Sequence, residues 1–192
     1  MATDDPAQTA ERLRFPRDLG AHPDHKLEWW YITGHARSAA GEREFGFQLT
    51  FFRTRVDATQ SLQSSFAARQ LIFAHAALTD VQGQKLWHDQ RIARSSGDEA
   101  IDRPRALALA STRTTDVALG DWSLQRKGDI VAATVQGSEF SMALTLSDTQ
   151  PLMLQGDAGQ SRKGPELRQT SAYYSQPQLQ VTGEVRLQGR RY

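Results

Sequence analysis

The stretch DHKLEWWYITGH, residues 24–35, sets Glu28, Trp29, Trp30 and Tyr31 side by side, with Gly34 read as a turn former after them. Aromatic and β-branched residues at this density favour a strand. Consecutive strand residues point to opposite faces, so Glu28, Trp30 and Ile32 share one face and Trp29, Tyr31 and Thr33 the other. Large aromatics normally lie inside a protein. Both faces of this strand must therefore meet something other than water. One face lines an interior, with Trp30 expected to be buried there. The other, with Trp29 or Tyr31, packs against a different piece of structure. A carboxylate at the Glu28 position needs a partner, because an unpaired buried charge is expensive. The simplest partner is an arginine at the end of the sheet; the alternative is polar work in a ligand pocket.

The rest of the chain reads the same way. KLEWWYITGHAR and REFGFQLTFFRT flank the hairpin-like SAAGE, and RQLIFAHAALTDV and QKLWHDQRIAR flank Gln82-Gly83. ALALAST, DVALGDWSLQRK, DIVAATVQ and EFSMALTLS follow, punctuated by Gly120, Lys127-Gly128 and Gly137, and SAYYSQPQLQVTGEVRL closes the chain. About nine or ten short strands separated by turn signals predict an all-β, antiparallel barrel or barrel-like sandwich with few short helices. Residues 61–71 are expected to form a short helix or lid. Residues 147–171, rich in proline, glycine and charge, are expected to be a long loop covering one mouth. Leu179, Val181, Gly183, Val185 and Leu187 alternate onto one face of the last strand, which predicts an apolar or unpaired edge within residues 178–189.

The 192 residues suit one domain, residues 15–192, behind a flexible tail over residues 1–14. Charged residues make up 23 % of the chain and its net charge is +1, which offers no electrostatic case for a nucleic-acid partner. With no cysteine, disulfides, thiol catalysis and cysteine-bound zinc are excluded. No apolar run approaches the roughly 20 residues of a membrane-spanning helix. The opening MATDDPAQTAERLR has no signal-peptide core, so either the protein is cytosolic or a leader is missing from this sequence.

Several residues are candidates for a ligand pocket. His75, between apolar neighbours in LIFAHAAL, is expected to be buried, either as a hydrogen-bonded core histidine or as the polar anchor of an apolar cavity. Gln48 and Thr50 face away from Phe45, Phe47, Leu49 and Phe51 and could form a pocket wall. Tyr173 and Tyr174 point to opposite faces. His22, Asp24 and His25 in HPDH, and His88-Asp89, are metal-ligand types, but neither group supplies three ligands at a recognised spacing, so no metal is expected. The acids Asp98, Glu99 and Asp102 read as a solvated loop. No nucleophile elbow or phosphate-binding loop is present, and no cofactor is expected.

Five blocks in order, FPRDLGAHPDHKLEWWYITGH, FGFQLTFFRT, FAHAALTD, QGDAGQSRKG and SAYYSQPQLQVTGEV, resemble the lipocalin-like AttH/CrtC family over residues 15–189. Its relatives include carotenoid 1,2-hydratases, kievitone hydratases, predicted secreted hydrolases and fungal Diels–Alderase homologues. The resemblance implies two successive lipocalin-like domains, of which this chain matches the first. It also implies an apolar ligand pocket in or between them, and an aromatic strand, Glu28 to Tyr31, packed at that pocket or interface. A tryptophan- and acid-rich motif that opens the family's second half, with the acids proposed to protonate a double bond, is absent here. Two function classes follow. One is a hydratase- or cyclase-like enzyme acting on an isoprenoid, polyene or lipid-like substrate by general-acid protonation of a C=C bond. Trp29, Trp30, Tyr173 and Tyr174 would face the cation, and Glu28 or Asp157 would be candidates for the polar work. The other is an exported carrier or sensor of an apolar ligand, without chemistry. The ligand-binding set implied is Trp29, Trp30, Tyr31, Gln48, His75, Tyr173 and Tyr174. A periplasmic or membrane-associated location, with peripheral membrane contact, is the family expectation.

Overall fold

A computed structural model describes residues 12–64, 66–102, 108–166 and 169–192. Most of the expected tail, residues 1–11, lies outside the described residues. Arg14 does not belong to a free tail, since its backbone N–H donates to Asp18 Oδ2 at 2.6 Å.

The first four strands, β1 (Leu27–Arg37), β2 (Glu44–Arg55), β3 (Gln70–Asp80) and β4 (Lys85–Ser95), form an antiparallel meander. A second sheet holds β5 (Leu109–Ala110), β6 (Asp116–Leu119), β7 (Trp122–Lys127), β8 (Ile130–Gln136) and β9 (Phe140–Ser147). Two short ladders follow, β10 (Met153–Leu154) with β13 (Tyr174–Ser175) and β11 (Gln160–Arg162) with β12 (Thr170–Ala172). Next, β14 (Gln180–Leu187) adds beside β9, and β15 (Arg190–Arg191) turns back onto its end. The second sheet thus has seven strands in the order β15-β14-β9-β8-β7-β6-β5, and the two sheets make a barrel-like sandwich. Gly128 takes a φ of +60° in the tight β7–β8 turn, a conformation that costs a side-chain-bearing residue more. Among the described residues no helix is long and apolar enough to cross a membrane.

Alternation builds the core. Phe45, Phe47, Leu49 and Phe51 of β2 and Ile72, Ala74, Ala76 and Leu78 of β3 face Val131, Ala133 and Val135 of β8 and Met142, Leu144 and Leu146 of β9 in one buried cluster. Trp122 is fully buried there, and its indole N–H donates to the Gln136 carbonyl at 2.8 Å. That satisfies the one polar atom the ring brings inside.

Several expectations are corrected. Gly34 lies inside β1, not at a turn: a Cβ there would sit 2.7 Å from Phe47 Cζ, so the missing side chain makes room for a core ring. Residues 61–71 hold no helix among the described residues; the nearby 3-10 turn is Asp57–Thr59. The solvated acidic loop is instead the one-turn helix α1, Glu99–Asp102. Its Asp102 is buried and accepts from the Ser95 hydroxyl at 2.8 Å and the Ser96 N–H at 3.0 Å. Residues 147–171 are not a featureless loop, because they contribute β10, β11 and part of β12. The apolar row of the last strand faces inward: Val185 and Leu187 are core, and Leu179 and Val181 pack against it. Its hydrophobic side is covered by the sandwich itself, whereas the expected unpaired edge is present: away from β9, β14 pairs with β15 only at Arg186 and Leu187 among the described residues.

Candidate functional site

The Glu28 question resolves locally. The Arg53 guanidinium, which exposes nothing to solvent, donates from Nε to Glu28 Oε2 at 2.7 Å. Its other nitrogens donate to the carbonyls of His22, Pro23 and His25. Glu28 also accepts from the His22 N–H at 2.9 Å, and its Oε1 lies 2.7 Å from His22 Nδ1. His22 Nε2 in turn lies 3.1 Å from Asp18 Oδ1. A hydrogen bond to Glu28 raises the His22 pKa against the opposing effect of burial, and Asp18 adds to the rise. Burial works against the Asp18 carboxylate, but hydrogen bonds from Arg17, the Arg14 N–H and His22 outweigh it and hold the group well below the usual carboxylate range. The simplest sequence reading, a Glu–Arg pair at the sheet end, is the arrangement found.

The fold also supplies what HPDH lacked as a metal motif. Donor atoms of His22, His25 and Glu28 lie within 4.8 Å of one another, and the two imidazoles stack at 4.9 Å. Glu28 is already shared between Arg53 and His22, and a buried guanidinium beside it supplies the positive charge a cation would bring. These contacts describe a charge network that ties the segment before β1 to β2.

The outer face of the four-stranded sheet is different. Opposite the core it carries a cross-strand row: Trp29 pairs with Phe52, Phe52 with Phe73 and Phe73 with Ile92. The Phe52 and Phe73 rings stack at 4.6 Å and 9°. Ile92 is 67 % exposed. The next row holds Tyr31, Thr50, His75 and Gln90. At its β1 end the Tyr31 and Tyr173 hydroxyls lie 2.5 Å apart, Trp29 and Tyr173 lie 6.3 Å apart, and Lys163 Nζ sits 4.7 Å from the Tyr173 ring centre. The hydrogen bond to Tyr173, with burial adding to it, pushes the Tyr31 pKa up to about 12. At the far end of the face, a half-open depression of about 190 Å3 is lined by Gln48, His75 and His88 among others.

The structure therefore brings Trp29, Tyr31 and Tyr173 together and places Gln48 and His75 farther across the same face. It separates the remaining candidates. Trp30 is half-buried on the core side. Tyr174 packs edge-on against Phe15 at 5.0 Å, and burial raises its pKa. Asp157 is exposed in the turn before β11, where its backbone bridges to Gln160. His75 is exposed, not buried as expected, because β3 turns its Phe73–His75–Ala77 side outward. Sequence reading missed Phe73, Ile92 and Lys163 as members of this face. The apolar run of β3 on both parities was the available signal for Phe73; nothing in the sequence ties Lys163 to Trp29.

The AttH-like family model matches residues 6–192. The crystal structure of a Nitrosomonas europaea protein assigned to AttH superposes with a TM-score of 0.81 at 43 % identity, over 97 % of this chain and 53 % of that one. The chain thus spans about half the length of that solved relative. None of the curated proteins matches it.

Proposed function

The chain belongs to the AttH-like family, and from that premise we propose that it binds a hydrophobic small molecule, isoprenoid, polyene or lipid-like, on the outer face of its four-stranded sheet. The observation that carries this reading is the row Trp29–Phe52–Phe73–Ile92, an apolar stripe on the side of the sheet turned away from the core. Sheets of this kind normally keep that side polar; here Trp29, Phe52 and Phe73 are half-buried and Ile92 is exposed, and apolar surface left on such a face marks a contact site. The interior is filled by side chains, so the outer face supports a ligand better than the space between the sheets does. A second domain, corresponding to the part of the Nitrosomonas relative that this chain does not cover, would complete the pocket.

In the hydratase- or cyclase-like version of this reading, this chain orients the substrate and offers aromatic faces to a developing cation. The proton donor would come from the other half, since Glu28 is engaged by Arg53 and Asp157 lies in a separate turn. The carrier version needs the same face and no donor.

The test is titration of tryptophan fluorescence with farnesol, a neutral isoprenoid, in the wild type and in Phe73→Ser. Saturable binding in the wild type, weakened about tenfold or more in a variant that thermal unfolding shows to be folded, is expected for loss of an apolar contact ring. Equal binding by both proteins overturns the outer-face assignment.

A further inference from the structure

The β1 end of the apolar row terminates in polar groups whose chemistry is more specific than the row itself. Lys163 Nζ lies 4.7 Å from the Tyr173 ring centre and 5.9 Å from that of Trp29. Lys163 is exposed, and no carboxylate among the described residues forms an ion pair with it. The Tyr31 and Tyr173 hydroxyls make one hydrogen bond between them. Two phenols carry two hydrogens, so one is left to donate elsewhere. An ammonium over the Tyr173 ring and a phenolic O–H on the same pair of tyrosines place two donors at this end of the row.

We propose that Lys163, Tyr31 and Tyr173 hold the carboxylate head of an amphiphile whose alkyl tail runs over Trp29, Phe52, Phe73 and Ile92. The proposal rests on the apolar-ligand reading above and names the ligand's polar end. Charge complementarity selects an anion, because the ammonium that lies over Trp29 and Tyr173 has no ion-pair partner among the described residues. One ammonium with one phenolic donor suits a singly charged carboxylate; a phosphate calls for a denser set of cations or a bidentate arginine. The tail has a matched track. Four aligned side chains span three inter-strand spacings, roughly 14 Å, and the Phe52 and Phe73 rings, stacked face to face at 4.6 Å, stand at its middle. Tyr31 lies two residues beyond Trp29 on the same face of β1, which sets the head beside the start of the track.

The experiment compares decanoate with 1-decanol, which share a tail and differ in head, on the whole chain as wild type, Lys163→Gln, Lys163→Arg and Tyr173→Phe. Lys163 is exposed, and thermal unfolding checks that each variant is folded. Decanoate affinity should fall about tenfold in Lys163→Gln, as for loss of one charged hydrogen-bonding partner, and less in Tyr173→Phe. Lys163→Arg should retain it, added salt should weaken it, and 1-decanol binding should be the same in all four proteins. If wild type binds the two ligands equally and Lys163→Gln alters neither, the head-group assignment is wrong while the apolar face stands. If neither ligand binds the wild type, the apolar-ligand reading falls with it.

Discussion

Arg53 and Glu28 are joined at 2.7 Å across the first hairpin, and the same guanidinium holds the carbonyls of His22, Pro23 and His25. One buried cation thus docks the segment before β1 and fixes the position from which the aromatic strand departs. Replacing it leaves a carboxylate and several carbonyls without their donor. Arg53→Met should cost about 3–5 kcal/mol, the usual penalty for breaking a buried pair from one side. The double variant Glu28→Gln/Arg53→Met should recover part of the loss. Urea unfolding measures both, and a single variant within about 1 kcal/mol of wild type would show the network to be dispensable.

His22, hydrogen-bonded to Glu28 and Asp18, has its pKa raised from 6.5. A raised histidine stabilises the folded state fully below its unfolded pKa and loses that contribution as pH climbs through the folded value. Melting temperature should therefore decline from about pH 6.5 upward, and His22→Gln should lack this decline. Asp18 behaves oppositely: its depressed pKa gives a contribution present above about 3.8, its ordinary value, and lost as pH falls below it. Melting curves across pH for wild type, His22→Gln and Asp18→Asn separate the two limbs.

The Tyr31 phenol, pushed up to about 12 chiefly by its bond to Tyr173, should remain protonated where an ordinary tyrosine ionises. Near-ultraviolet titration of phenolate, as the difference between wild type and Tyr31→Phe, reads this directly. In Tyr173→Phe the Tyr31 value should move back toward 10.0, its ordinary value. No movement would show that the two hydroxyls are not paired in solution.

Gly34 faces the Phe47 ring across the first hairpin, with three ring carbons within 3.3 Å of where a Cβ would stand. Gly34→Ala should destabilise by about 1–3 kcal/mol through overpacking. Combining it with Phe47→Leu should cost less than the sum of the two single changes, a coupling that a double-mutant cycle measures.

Asp102, buried under α1, accepts from Ser95 and Ser96. Asp102→Ala strands those donors and should cost about 1–3 kcal/mol. A loss confined to local hydrogen-exchange protection around Ser95 and Ser96, with global stability unchanged, would limit its role to anchoring the turn.

The strands were legible because their signal is local. EFSMALTLS alternates so regularly that β9 and its inward Met142, Leu144 and Leu146 follow from parity alone. The outward side of β3 was misread for a related reason: LIFAHAAL is apolar on both parities, so alternation cannot say which side meets the core. On that ambiguity the sequence favours an inward His75, and the structure turns it outward. Gly34 reads as a turn because glycine weakens strand interiors, whereas here it accommodates a ring from the neighbouring strand.

What the sequence determined by itself was the existence of the longer strands β1 to β4, β7 to β9 and β14, the two-sided aromatic character of residues 29–31, and the need of Glu28 for a partner, all of which depend on neighbours along the chain. That Glu28 meets Arg53, that Trp29 aligns with Phe52, Phe73 and Ile92, and that Tyr31 meets Tyr173 beneath Lys163 were decided by tertiary structure. Tyr31 and Tyr173 are 142 residues apart. Contacts over such separations are set by sheet register and by where the ladders after β9 fold back, and alternation within one strand carries no information about either.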